Sequence, residues 1–452
     1  MRLMCHLNIG LCIPTGRVRQ YWGWRVVQEF DSNHERLIPL SLEGISGPVS
    51  TTLLPQHHHL ALVSSQGNVP VLQREPDVDR YTGSDVTLAS RCTTGLVSYI
   101  SEGRTFIVTS HACLEHITAP VYYAASVHAT ISEVPQFVRS VGTDDDLHVW
   151  EVTPQGALLR GAFSVPGALD IQVVWLEQAS STCLVVVEAR GTDVLVVCER
   201  QAGMFVEHQR LNFTRPSKVS VVQHTPPVGR KHLALAVADP GRTALKGGGI
   251  YFFHYDVKSG EFLLIQEELL EDVVWVEFVS RGPDLLLAAV TEDRLGVREG
   301  HVCLYKVDWY NPDGLTPLGH RGPLVKSEIP SPRVSGLQHT PQLFAVQELE
   351  LEDPSEARFL ITPSGGLHLY VVGHSGLITW FSQEGIHRFR KEGEVRVANG
   401  MTLEVWAMKG KEWTPRISVA GGRCPRGSHQ APNQPTFVLE MIFRGSRNIP
   451  AQ

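Results

Sequence analysis

Short apolar runs, each closed by a polar turn and followed by a strand with an aromatic end, recur along this chain. The clearest copies are His232-Leu-Ala-Leu-Ala-Val-Ala-Asp239 with Ile250-Tyr-Phe-Phe-His-Tyr255, and Leu285-Leu-Leu-Ala-Ala-Val-Thr-Glu292 with Val302-Cys-Leu-Tyr-Lys-Val307. Leu233 and Leu285 are 52 residues apart, and so are Ile250 and Val302. Two landmarks sharing one offset mark a structural repeat. A period of about 45–55 residues holding several short strands is that of a β-propeller blade.

Helical patterning is almost absent, because no long stretch places apolar residues at i, i+3, i+4 and i+7 between caps. Strand patterning is dense, as in Thr105–Thr109, Leu147–Val152, Thr182–Val187, Leu377–Phe381 and Thr436–Phe443, with Gly, Pro, Asp and Ser turns between. The prediction is an all-β chain, a single β-propeller over 1–452 with seven blades of four antiparallel strands. Its best-defined blades fall within 145–310. Second strands are assigned to His59–Val63, Thr105–Thr109, Thr182–Val187, His232–Val237, Leu285–Val290 and Arg358–Ile361, and Leu403–Trp406 is assigned as a third strand. Closure removes two sheet edges, so the N-terminal strand is expected near His6–Ile13, paired with Thr436–Phe443. Two long insertions are predicted at about 309–342 and 409–434, the second a basic loop with Lys409, Lys411, Arg416, Arg423 and Arg426.

The 42% hydrophobic and 19% charged residues are those of a folded domain. A net charge of −7 argues against nucleic acid as a partner, and no apolar run is long enough for a membrane-spanning helix. The opening Met1–Pro14 is a poor signal peptide, interrupted by His6 and Asn8. Eight cysteines are too scattered for a disulfide scaffold, and no Cys-x-x-Cys occurs. If Arg190-Gly191 turns a hairpin, Cys183 and Cys198 fall opposite one another, each seven residues from the turn. A two-residue loop puts them at a hydrogen-bonded pair with Cα atoms about 5.5 Å apart. Both a disulfide and two buried thiols fit that spacing.

After several third strands comes an aromatic, three spacers and a glutamine: Phe205-Val-Glu-His-Gln209, Phe262-Leu-Leu-Ile-Gln266, and Trp24-Arg-Val-Val-Gln28 with tryptophan first. Four residues apart in a strand, the aromatic and the glutamine are expected on one face. The aromatic then packs between blades while the amide satisfies backbone groups at the blade crossing. The order of this strand, the Pro166-Gly-Ala-Leu-Asp170 turn and the later hydrophobic and Trp380-containing strands resembles the EAR (epitempin, EPTP) repeat. That repeat occurs in the leucine-rich glioma-inactivated proteins and in the thrombospondin-type laminin G and EAR repeat proteins. The resemblance implies a seven-bladed propeller that recognises a protein ligand or receptor outside the cell, with no catalysis and no cofactor.

The chain has no dinucleotide fingerprint, phosphate loop or nucleophile elbow. Asp144-Asp-Asp146 is read as solvated rather than calcium-binding. Of His57-His-His59 only the outer pair share a strand face, so no metal site is assigned. Asn212-Phe-Thr214 is a glycosylation sequon at a predicted strand end. The expected function is a non-catalytic, secreted recognition module. An intracellular WD-repeat or Kelch-like scaffold is the alternative, and a propeller glycosidase or lyase the third reading. That last reading requires acidic or His residues to converge at the central channel.

Overall fold

The computed structural model describes residues 21–30, 36–40, 59–63, 68–75, 80–90, 93–111, most of 146–308, most of 341–421, and 436–444. It contains seven four-stranded antiparallel sheets arranged as the blades of a propeller. Blade 1 comprises β2 (Arg36–Leu40), β3 (His59–Val63), β4 (Val69–Glu75) and β5 (Arg80–Leu88), from the centre outwards. Blade 2 follows with β6 (Thr93–Ser101), β7 (Arg104–His111), β8 (Asp146–Thr153) and β9 (Gly156–Ser164). Blade 3 holds β10 (Ala168–Leu176), β11 (Ser181–Glu188), β12 (Asp193–Gln201) and β13 (Met204–Asn212). Blade 4 holds β14 (Lys218–His224), β15 (His232–Asp239), β16 (Gly249–Asp256) and β17 (Glu261–Leu269). Blade 5 holds β18 (Val273–Arg281), β19 (Asp284–Thr291), β20 (Gly300–Asp308) and β21 (Gln342–Leu351). Blade 6 holds β22 (Pro354–Ile361), β23 (Leu367–Gly373), β24 (Leu377–Glu384) and β25 (Arg388–Arg396). Blade 7 takes β26 (Gly400–Lys409), β27 (Trp413–Gly421) and β28 (Thr436–Arg444) and is completed from the other end of the chain by β1 (Tyr21–Phe30).

The closing strand is therefore Tyr21–Phe30 and not His6–Ile13, which lies outside the described residues. Its run of aromatic and β-branched residues pairs with β28 along its length, Trp24 opposite Met441 and Phe30 opposite Thr436. Three further assignments change. Arg358–Ile361 belongs to the inner strand β22, and Leu403–Trp406 to the inner strand β26. The second strand of blade 6 is β23. Within 409–434, Trp413–Gly421 is a strand and not a loop, and Arg416 is buried in it. Its Pro415 and Arg416 had concealed the strand pattern. The other insertion, 309–340, lies outside the described residues and joins β20 to β21.

Burial explains the continuous apolar runs. A second strand such as β11 or β19 is covered on both sides by neighbouring blades, so every residue after the first is buried. Its residues alternate between two inter-blade cores. Cys183, Val185 and Val187 face blade 4, whereas Leu184 and Val186 join the core with blade 2. The outer strands have one edge in water and show broken burial, as in β13.

Each glutamine of the motif bridges two blades. Gln209 accepts from Phe262 N–H (2.8 Å) and donates to Phe262 C=O (2.9 Å). Gln28 makes the same pair of bonds to Tyr81, both at 2.8 Å, and Gln266 to Leu343 at 2.8 and 3.3 Å. Gln347, which falls outside the aromatic-x-x-x-Gln pattern because Leu343 replaces the aromatic, does so to Phe389 at 2.7 and 2.9 Å. One expectation is corrected: aromatic and glutamine do not share a face. Gln209 lies opposite Val196 but Glu207 lies opposite Val197, which makes His208 a β-bulge. The extra residue reverses the alternation. Phe205 packs towards blade 2, 5.9 Å from Tyr99, while Gln209 reaches blade 4.

Candidate functional site

The inner strands carry more polar residues than a propeller axis needs for packing. Asp170 (β10), Lys218 (β14), Glu277 (β18), Glu356 and Arg358 (β22) and Glu404 (β26) come from five consecutive blades. Asp170, Lys218 and Glu356 sit near the starts of their strands, the end where each outer strand passes to the next blade, and Glu277, Arg358 and Glu404 lie near the middle of theirs. Arg358 is the hub. Its guanidinium donates to Glu277 (2.8 Å), to Glu404 (2.8 Å) and to the Leu403 carbonyl (3.2 Å). Lys218 donates to Asp170 at 2.7 Å. Both cations approach the Trp275 ring, Lys218 Nζ at 4.2 Å and Arg358 Cζ at 4.6 Å from its centroid.

Part of this network has a structural task. Asp170 accepts from Val219 N–H (3.1 Å), Glu277 from Phe359 N–H (3.3 Å), and Glu356 from Leu403 N–H (3.1 Å). Ser220 accepts from Phe278 N–H at 2.9 Å. Carboxylates and a hydroxyl thus join successive inner strands as the glutamines join outer ones. The remainder exceeds that need. Four carboxylates face two cations, and the side chains of Glu277, Arg358 and Glu404 keep 15–18% of their surface exposed. Burial raises the Glu277 carboxyl above the usual range, against the pull of Arg358 and Lys218. Burial opposes the charge on Arg358, but Glu404, Glu277 and Glu356 outweigh it and hold the guanidinium protonated. An acid with a raised pKa beside a fixed cation is an arrangement that acid–base sites use.

The opposite end of blades 4 and 5 holds three imidazoles, His224 buried and His232 and His254 half-buried. His224 bonds Ser280 at 2.9 Å, and His232 bonds His254 at 3.1 Å. Burial lowers all three histidines, His254 to about 4. Among the described residues no group of three or more His, Cys, Asp or Glu could hold a metal ion. His59 begins β3 and Asp146 begins β8, while His57, His58, Asp144 and Asp145 lie outside the described residues.

The motif residues are placed as follows. Phe205 and Phe262 are core residues, and Gln28, Gln209 and Gln266 are inter-blade clamps. Trp380 is buried over Gly393, where an added Cβ would meet its ring at 2.5 Å. Trp24 lies in the closing strand. Among those whose side chains are described, none bonds a residue of the charged cluster. Cys183 and Cys198 are paired in register and joined by a disulfide (2.05 Å). Their Cα atoms are 4.1 Å apart, the spacing of a non-hydrogen-bonded pair and not of the hydrogen-bonded one expected. The cluster itself gave no sequence motif, because Arg358 lies 81 residues from Glu277 and 46 from Glu404.

No family model matches this chain, and no curated protein matches it. Solved structures do. It is similar to a "putative 6-phosphogluconolactonase" from Bacteroides fragilis, at 12% identity and TM-score 0.43, covering 80% of this chain and 84% of that one. It is also similar to one so described from Bacteroides uniformis, at 12% identity and TM-score 0.45, covering 82% and 97%. A protein from Lactobacillus plantarum matches at 12% identity and TM-score 0.45, covering 81% and 97%. The expectation of a non-catalytic EAR-type module is corrected accordingly, since structures similar to this chain carry an enzyme's name. Likeness at this level concerns the fold and assigns no substrate. Among the described residues no helix is long and apolar enough to cross a membrane.

Proposed function

We propose that the charged cluster on the inner strands is a binding site for a small polar ligand, equipped for acid–base chemistry. The observation that carries this reading is the convergence of Glu277 and Glu404 on Arg358, from blades 5 and 7 onto blade 6. Arg358 orients an oxygen-rich ligand, and Glu277 and Glu404, which flank it, are the two groups placed to exchange a proton with it. The ligand class is a hydroxylated acid or its cyclic ester, because two carboxylates and a guanidinium offer both acceptors and donors at close range. The test is saturation-transfer NMR and base uptake in a pH-stat, with a panel of sugar lactones and aldonic acids. Turnover by the wild type that is lost in Glu277→Gln and Glu404→Gln, with the melting temperature held, is the expected result. Failure of every compound to bind, with both variants simply melting earlier, would leave the cluster as a blade lock.

The secretory pathway is the compartment we favour. The support is the Cys183–Cys198 disulfide within blade 3, since such bonds persist in oxidising surroundings. The likeness of the aromatic-x-x-x-Gln strands to EAR repeats supports descent of the repeat unit from a common ancestor and carries no partner with it. Intact mass with and without reduction, on protein from its own source, tests the compartment. Free thiols at both cysteines would remove it.

A further inference from the structure

We infer that Asn212 carries an N-linked glycan, a modification that rests on the secretory placement proposed above. Asn212-Phe-Thr214 is the single Asn-x-Ser/Thr sequence in the chain with x other than proline. The fold holds it at an unusual junction. Asn212 is the last residue of β13, opposite Asp193, and its side chain is exposed. The residues on either side of it, Leu211 and Phe213, both pack into the core between blades 3 and 4. Strand alternation therefore turns Asn212 away from that core.

The backbone just beyond it is pinned. Phe213 N–H donates to Thr192 C=O at 2.6 Å, and its ring lies 5.2 Å from Tyr251 and 6.0 Å from Phe253. Thr214 N–H and Arg215 N–H donate to the buried carboxylate of Asp239 at 2.7 and 3.0 Å. Sugar on Asn212 thus projects from a rigid strand end without displacing a packed side chain or breaking a backbone hydrogen bond. Here the acceptor is the one residue of the triplet that the core does not use.

The chemistry is a glycosyl transfer from a lipid-linked oligosaccharide. The side-chain nitrogen of Asn212 bonds to the anomeric carbon of the first sugar, the bond from that carbon to phosphate breaks, and the lipid pyrophosphate leaves. The amide loses one proton and nothing is oxidised or reduced. The glycan would stand at the outer rim where blade 3 passes to blade 4, on the end of the molecule nearer the charged cluster.

The experiment is peptide mapping of the full chain secreted from insect or mammalian cells, treated with peptide N-glycosidase in heavy-oxygen water, with the cysteines mapped in parallel. Conversion of Asn212 to labelled aspartate, abolished in Thr214→Ala, is the expected result. Thr214 engages Asp239 through its backbone, which alanine preserves, so the variant is expected to fold. A Cys183–Cys198 disulfide with Asn212 bare would overturn the glycan and leave the compartment standing. Two free thiols with Asn212 bare would overturn both.

Discussion

Gln209 shows how one side chain can bind two blades: its amide closes a ring of two hydrogen bonds on the backbone of Phe262. Its replacement leaves a donor and an acceptor in a part-buried seam, and such groups cost about 1–3 kcal/mol each when stranded. Gln209→Ala is expected to lower stability by about that amount, read from urea denaturation, with little change in far-UV circular dichroism. Between blades 2 and 3 the equivalent position is Gly161, where a Cβ would come 2.9 Å from the Gly203 carbonyl. There the strands meet too closely for any side chain, so Gly161→Gln is expected to destabilise rather than to supply a clamp. The imidazoles of blade 4 make a prediction with a definite sign. His224, His232 and His254 bind protons less readily folded than unfolded, so their contribution is complete above about 6.5, the ordinary histidine value. It is lost as pH falls from there towards about 4, where His254 titrates in the folded protein. His374, raised by its hydrogen bond to Glu292, works the other way and adds stability in acid. Thermal unfolding between pH 7 and pH 4 should show a net fall, and His254→Leu should flatten it. A slope unchanged in that variant would contradict the assignment.

Second strands were legible in sequence because neighbours bury both their faces, leaving uninterrupted apolar runs such as Leu285–Val290. Inner strands were not. Pro354-Ser-Glu-Ala-Arg-Phe-Leu-Ile361 carries Glu356 and Arg358 where a core strand is expected to be apolar, because those groups bond the next blade rather than face solvent. That one cause hid both the inner strands of blades 6 and 7 and the candidate site. The outer-strand motif was visible, but its bulge was not, since a bulge leaves no mark in residue type when His208, Ile265 or Val346 occupies it. In blade 3 the second and third strands are covalently joined. The disulfide closes a loop with a sequence separation of 15, for which chain-entropy arguments give about 3 kcal/mol. Cys183→Ala with Cys198→Ala should lower the unfolding free energy by that much and the urea midpoint with it, and reduction of the wild type should give the same midpoint. Equal midpoints for oxidised and reduced protein would show that the bond constrains nothing.

Seven blades close because a strand from the start of the described fold completes the sheet built by its end. Without β1, β28 becomes an open edge and Gln28 no longer holds Tyr81, so blades 7 and 1 lose their seam together. Removing residues 1–30 is expected to abolish cooperative unfolding and to produce association through the exposed edge, detectable by light scattering. Supplying the Tyr21–Phe30 peptide in trans should reverse it. The direction of the closing ladder has a mechanical consequence. Tyr21 lies opposite Arg444, so the two ends of the ring leave the molecule side by side. A load applied between them falls on one ladder pair at a time, beginning at Tyr21–Arg444, and parts the strands as a zip. The same strands pulled from opposite ends would share the load across every bond. The ring is therefore expected to open at low force when stretched by its ends, and blade 7 should give way first.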